Sequence, residues 1–235
     1  MEPKILYEDE FLLVLAKPAG WVVNDARTVR GTFTVQSWLK ENFDYEISKD
    51  DMYRSGIVHR LDKDTSGILL IAKTKSVFEN LQMQFKGRGV EKTYLALVHG
   101  QIAQKSGEID MPVGRLPWNR ERFGVLPGGR EAVTGYKTLS EYELNGKKYS
   151  LLEAYPKTGR THQIRIHFKY LGHPIVADSF YAGRKTERGD RLWCPRLFLH
   201  AKEIKFRHPD NNRMVSVSAE LPRDLKTALS KLNKI

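Results

Sequence analysis

The strongest constraint on this fold is a junction. The charged, turn-rich stretch His59-Arg60-Leu61-Asp62-Lys63-Asp64-Thr65-Ser66-Gly67 runs directly into the wholly apolar Ile68-Leu69-Leu70-Ile71-Ala72. An apolar run this short, far below the roughly 20 residues that span a bilayer, reads as a strand buried on both faces. The polar half is then a loop entering the core with one arginine and two aspartates. Charges brought there are costly unless paired or used. The loop therefore has two readings, an active site or a tight charged turn in which Asp64 or Thr65 bonds local backbone.

Bulk properties narrow the choice. The net charge of +11 is the footprint of a protein that docks on phosphates. Hydrophobic residues at 40% and charged residues at 29% suit an ordinary folded chain rather than a disordered one. No apolar run could cross a membrane, and Met1-Glu2-Pro3-Lys4 lacks the layout of a secretory signal. The single cysteine, Cys194, can build neither an internal disulfide nor a thiolate cage. These features point to a reducing, cytoplasmic setting.

Elements follow from periodicity. Phe11 to Ala16 reads as a second buried strand, stopped by Lys17-Pro18-Ala19-Gly20. Thr34 caps a helix through Phe43, and Thr74 or Ser76 caps one carrying Val77, Leu81 and Phe85, closed by Gly87 and Gly89. Tyr45 to Ser55 reads as a polar loop. Strands are expected over Val90 to Gly100, Ala132 to Tyr136, Tyr149 to Tyr155 and Met214 to Leu221, and Pro222 opens a closing helix. Arg184 to Arg191 reads as a charged, mobile segment. With no repeat or linker, residues 1–235 are expected to form one domain.

Three further stretches carry chemistry. Lys92 and Tyr94, two apart on a strand, share a face; they are either site residues or a snorkelling lysine and a core tyrosine. Between Arg115 and Arg130, the arginines Arg115, Arg120, Arg122 and Arg130 are interleaved with Trp118 and Phe123. That composition suits either a loop that grips a phosphate backbone and stacks bases or a solvated hairpin with exposed charges. Thr161 is a fair N-cap for a helix from about His162 to Leu171, ended by Gly172. Lys157, Arg160 and that helix start would form an anion-friendly corner. His162 and His167 cannot share a metal on one helix face, because five residues leave them about 140° apart at 3.6 residues per turn.

The signature at His59 to Gly67 with its strand resembles that of the RluA-type pseudouridine synthases, which isomerise uridine to pseudouridine within RNA. The stretch around Lys92 and Tyr94, the run Gly159-Arg160-Thr161-His162-Gln163-Ile164-Arg165-Ile166-His167, and Leu197 to Ala201 resemble further blocks of that family in the same order. The resemblance implies an α+β pseudouridine synthase fold, with a mixed, mostly antiparallel sheet, flanking helices and a central basic cleft. It implies Asp62 as the essential carboxylate, Tyr94 stacked on the target base and Arg165 paired with the aspartate. It also implies Arg60, Lys92, Arg160 and Leu199 as RNA-binding residues. The one departure is Ala177, where the family commonly has glycine; a shifted loop is expected there.

Only some 50 residues precede the signature, and they already read as strands of the same domain. The small RNA-binding domain of many relatives is therefore expected to be absent. The reaction needs no redox change or group donor, so neither cofactor nor metal is expected. The partner is a structured RNA, ribosomal or transfer; no DNA or membrane partner is expected, and the chain reads as a monomer. Asp64 beside Asp62 keeps an RNA N-glycosidase or other hydrolase as the rival enzyme. A non-catalytic RNA-binding protein is the rival from another class.

Overall fold

The computed structural model describes residues 2–25 and 33–235, apart from the side chains of Arg120 and Glu121. In chain order these are β1 (Lys4–Glu8), β2 (Leu12–Lys17), α1 (Val35–Asn42), β3 (Ser66–Ala72), α2 (Lys75–Lys86) and β4 (Glu91–His99). Then come β5 (Ser106–Asp110), β6 (Val113–Leu116), β7 (Asn119–Val125), β8 (Val133–Leu144) and β9 (Lys147–Pro156). The chain closes with α3 (Gln163–Tyr170), α4 (Arg184–Arg191), β10 (Leu199–Arg207), β11 (Met214–Ser218), α5 (Arg223–Leu229) and β12 (Asn233–Lys234).

The chain forms two compact units. The first comprises residues 1–91 and 201–220, the second residues 92–200 and 221–235. In the first, strand order is β1-β2-β3, with β10 beside β3 and β11 on β10. β3 is buried along its whole length, as its unbroken apolar run requires. Its core gathers Leu12, Val14, Ile68, Leu70 and Phe206, covered by Val77 and Leu81 of α2. Thr34 caps α1 through a capping box with Ser37, and Thr74 caps α2.

The second unit is a meander ordered β4-β9-β8-β12, with β5 on β8. β8 and β9 form a long hairpin turned at Asn145-Gly146, both at positive φ, as a two-residue hairpin turn demands. Its core unites Leu97, Leu152, Phe168, Phe198 and Leu225. Across both units β1–β2, β2–β3, β4–β9, β5–β8, β8–β9, β8–β12 and β10–β11 all pair antiparallel. The expected α+β class with a mostly antiparallel sheet is what the structure has.

Two expectations need correction. Thr161 is not the N-cap of α3: the helix begins at Gln163, and His162 holds the cap position at φ +56° without a side-chain cap bond. The Gln163 side chain instead ties down the loop before the helix: its Oε1 accepts from Arg160 N at 3.0 Å and Thr158 Oγ1 at 2.7 Å. Arg184 to Arg191 is a helix rather than a mobile segment. Asp190 anchors it from a buried position, accepting from Ala177 N at 2.9 Å and pairing with His99 Nε2 at 2.9 Å. The charge of the segment hid this one inward contact. Ala177 itself stands at φ +57°, the left-handed region that favours glycine and costs an alanine roughly 1–2 kcal/mol.

Gly67 at the start of β3 has φ +117°, and a Cβ there would lie 2.2 Å from the carbonyl oxygen of Ala201. Gly67→Ala is expected to cost at least about 3 kcal/mol in urea unfolding, because strain and backbone overlap add. A loss below about 1 kcal/mol would mean that the strand start is far more plastic than its packing implies.

Candidate active site

In the first unit the signature loop is held from both ends. His59 Nε2 accepts from Leu70 N at 2.9 Å, so its ring lies along β3 and tilts onto Phe85. Asp62 to Thr65 form a tight turn closed by Thr65 N donating to Asp62 O at 3.1 Å. Beneath the turn lies Lys17, only 1% exposed. Its ammonium donates to the carbonyls of Pro18 and Trp21 at 2.9 Å and of Lys63 at 3.1 Å. Three acceptors match its three N–H groups, which is what allows a lysine to be buried. Gly20 N adds a 2.8 Å bond to the same Lys63 carbonyl. Arg60 is exposed, and Asp62 and Asp64 are half-buried, so the loop offers its carboxylates near the surface on a rigid backbone.

In the second unit the centre is Arg165. It is 5% exposed and meets Asp178, fully buried, in a two-pronged pair: Nε to Oδ2 and Nη2 to Oδ1, both 2.8 Å. Asp178 Oδ1 also accepts from Phe180 N at 2.9 Å and Tyr181 N at 3.1 Å. The Arg165 Cζ lies 5.3 Å from the Phe180 ring and 5.2 Å from the Tyr181 ring. Planar charge, forked carboxylate and flanking rings fix the guanidinium in one orientation. Tyr181 OH in turn shares a 2.9 Å hydrogen bond with His162 Nδ1.

The other predicted residues fall as follows. Tyr94 is half-buried on β4, in register with Ala154 of β9. Lys92 precedes it, half-buried, and desolvation pushes its amine down to about 8. Arg160 is half-buried and its Nε donates to Glu131 O at 2.9 Å. Lys157, expected in the same anion-friendly corner, pairs with Glu108 at 2.5 Å and is exposed. Leu199 is a buried core residue at the start of β10. His167 is held on both ring nitrogens: Nε2 donates to Met111 O at 3.0 Å, which leaves Nδ1 to accept from Thr134 Oγ1 at 2.9 Å. Burial pushes its pKa down, so it is neutral. Among the described residues no group of three or more His, Cys, Asp or Glu could hold a metal ion.

A family model described as RNA pseudouridylate synthase matches residues 11–170. The chain belongs to the RNA pseudouridylate synthase family. The ribosomal large subunit pseudouridine synthase C of Vibrio parahaemolyticus is 36% identical over 100% of this chain and 70% of its own. An uncharacterized RNA pseudouridine synthase of Synechocystis sp. is 38% identical over 96% of this chain and 67% of its own. Among solved structures, human RNA Pseudouridylate Synthase Domain Containing 1 has a TM-score of 0.76 at 27% identity, covering 99% of this chain and 89% of that one. The protein is thus an isomerase that converts uridine to pseudouridine in RNA.

Sequence reasoning missed Lys17 and Asp178. Lys17 was visible as a cation at the end of an apolar strand, but only the carbonyls gathered around it reveal its use. Asp178 follows the apolar Ile175-Val176-Ala177 run, and an acid in that position was the available signal.

The lowered pKa of Lys92 has a measurable consequence. The unfolded chain keeps this proton up to the usual lysine range, whereas the native amine releases it near 8. Between those values the unfolded state binds more protons, so stability rises with pH. Wild type is expected to gain of order 2 kcal/mol relative to Lys92→Met between pH 8 and 10.5. Parallel stability curves for the two proteins would contradict this burial effect.

Proposed function

We propose that Asp62 is the essential carboxylate and that Tyr94 and Arg165 act with it on one flipped-out uridine. The observation that carries this reading is the treatment of the signature loop. A buried lysine, a histidine ring and a turn bond all fix its backbone, yet Asp62 itself stays half-exposed. A purely structural turn has no need of such anchorage around a carboxylate that keeps part of its surface open to solvent. The fixed orientation of Arg165 supports the second half of the proposal, because a preorganised cation stabilises charge without moving during reaction.

The reaction breaks the bond between N1 of uracil and C1′ of ribose, turns the ring, and joins C5 to C1′. The C5 hydrogen leaves as a proton and N1 gains one, so nothing is oxidised or reduced. A carboxylate at the sugar serves as nucleophile or as proton acceptor; either role belongs to Asp62. The uridine leaves its stack to reach the carboxylate, at a cost of a few kcal/mol. Arg60 fills the vacated space or holds the flipped nucleotide's phosphate, with Lys92 and Arg160 completing the contact with RNA and Leu199 forming the apolar backing behind the base. Tyr94 stacks on the base and relays the proton. Both units serve this one reaction, as a single catalytic domain on a monomer in the cytoplasm, without cofactor.

The substrate is proposed to be ribosomal or transfer RNA; the name of the Vibrio relative supports the ribosomal choice. Mapping pseudouridines in RNA from cells lacking the protein identifies the position.

Asp62→Asn is expected to abolish release of tritium from C5 of labelled uridine in that RNA, while affinity for the RNA changes less than about threefold. Tritium release equal to wild type would remove Asp62 from the mechanism. Free uracil among the products would instead favour hydrolysis, with Asp64 as second carboxylate.

A further inference from the structure

One strip of the second unit has a composition that the isomerisation itself does not explain. It starts on the β6–β7 hairpin, whose two-residue turn Pro117-Trp118 closes between the paired Leu116 and Asn119. Trp118 is 76% exposed at this tip. An indole this exposed on a two-residue turn offers a large flat apolar face to solvent. Arg115 is exposed beside it, and its Cζ stands 5.0 Å from the Phe123 ring. Phe123 meets His162 with ring centroids 6.2 Å apart, and His162 meets Phe180 at 5.5 Å. Phe180, 40% exposed, is the ring that lies against Arg165. Rings and guanidiniums therefore follow one another from the hairpin to the Arg165 clamp.

The hairpin is firmly seated. Val113 at its base is buried with Ala132, Ile166 and Tyr181, and Phe123 and Val125 pack on the same small core. Ile166 adjoins Arg165 on α3, and Tyr181 is one of the two rings flanking its guanidinium. The hairpin and the Arg165 clamp thus share one core, which fixes the strip relative to Arg165.

Charge selects the occupant. Residues 113–130 carry Arg115, Arg120, Arg122 and Arg130 against Glu121 alone; the side chains of Arg120 and Glu121 lie outside those described. Guanidiniums among exposed rings fit a polyanion whose flat faces are available, which is a nucleic acid strand with unpaired bases. A duplex would offer the arginines its phosphates but leave the rings nothing to stack on.

We propose that this strip binds an unpaired RNA segment flanking the target uridine, with a base stacked on Trp118 and a backbone phosphate held by Arg115. The choice of RNA rests on the pseudouridine synthase reading. The role of the strip does not depend on Asp62.

The test uses the full-length protein with oligouridine and with a blunt RNA duplex as probes. Adding oligouridine quenches Trp118 emission, and Trp118→Ala weakens oligouridine binding about tenfold, the scale of one lost stacking contact. Trp118→Phe restores most of that binding, and duplex binding changes far less. On uridine-tritiated RNA from cells lacking the protein, Trp118→Ala raises KM about tenfold and moves kcat much less. Unchanged oligouridine binding in Trp118→Ala, or an equal loss for duplex and single strand, overturns the inference even if tritium release persists. Conversely, a wild type that releases no tritium from any RNA, yet binds oligouridine through Trp118, overturns the isomerase reading and leaves this one standing.

Discussion

The buried pair of Arg165 and Asp178 is the interaction on which the second unit's site depends. Isolated in an apolar interior, either charge would cost several kcal/mol. Together, with two 2.8 Å bonds and two backbone N–H groups on the same carboxylate, the cost is offset and the geometry is fixed. Rings on Phe180 and Tyr181 complete the enclosure. The loop that supplies Asp178 is held in turn by Asp190, which bonds Ala177 N. A chain of anchors thus runs from α4 through a left-handed alanine to the guanidinium, which is buried and held in one orientation.

The first unit applies the same logic to a carboxylate loop. Lys17 is buried because three carbonyls converge on it, and one of them belongs to the signature loop itself. Gly67 lets β3 pass closely under Ala201, where no side chain fits. The loop is therefore held at its backbone while its two aspartates stay half-buried. In both units charge is spent on holding backbone in place, which suits a catalyst that must present fixed groups to a flexible RNA.

Much of this was legible in the residues. The apolar run of β3, the caps of α1 and α2 and the inward alternation of β11 follow local rules, so pattern alone finds them. The family blocks around Asp62, Tyr94 and Arg165 were legible because strict spacing is specific. What escaped was decided at long range. Asp178 looks like any loop aspartate until the fold brings it to Arg165, and Lys17 looks like a strand terminator. The helix at Arg184 to Arg191 was hidden because its surface charge outweighs its single buried contact, Asp190. Thr161 failed as a cap because the chain passes through His162 at positive φ and turns helical only at Gln163. The Asn145-Gly146 turn was readable by its dipeptide and went unread.

The central claim is that Arg165 is a held charge, oriented before any RNA arrives. The Nε–H resonance of Arg165 in a nitrogen-15 spectrum, assigned through Arg165→Lys, tests this directly. A sharp, slowly exchanging signal in the RNA-free protein, lost on Asp178→Asn, is the predicted result. A signal averaged with bulk arginines and indifferent to Asp178 would contradict it.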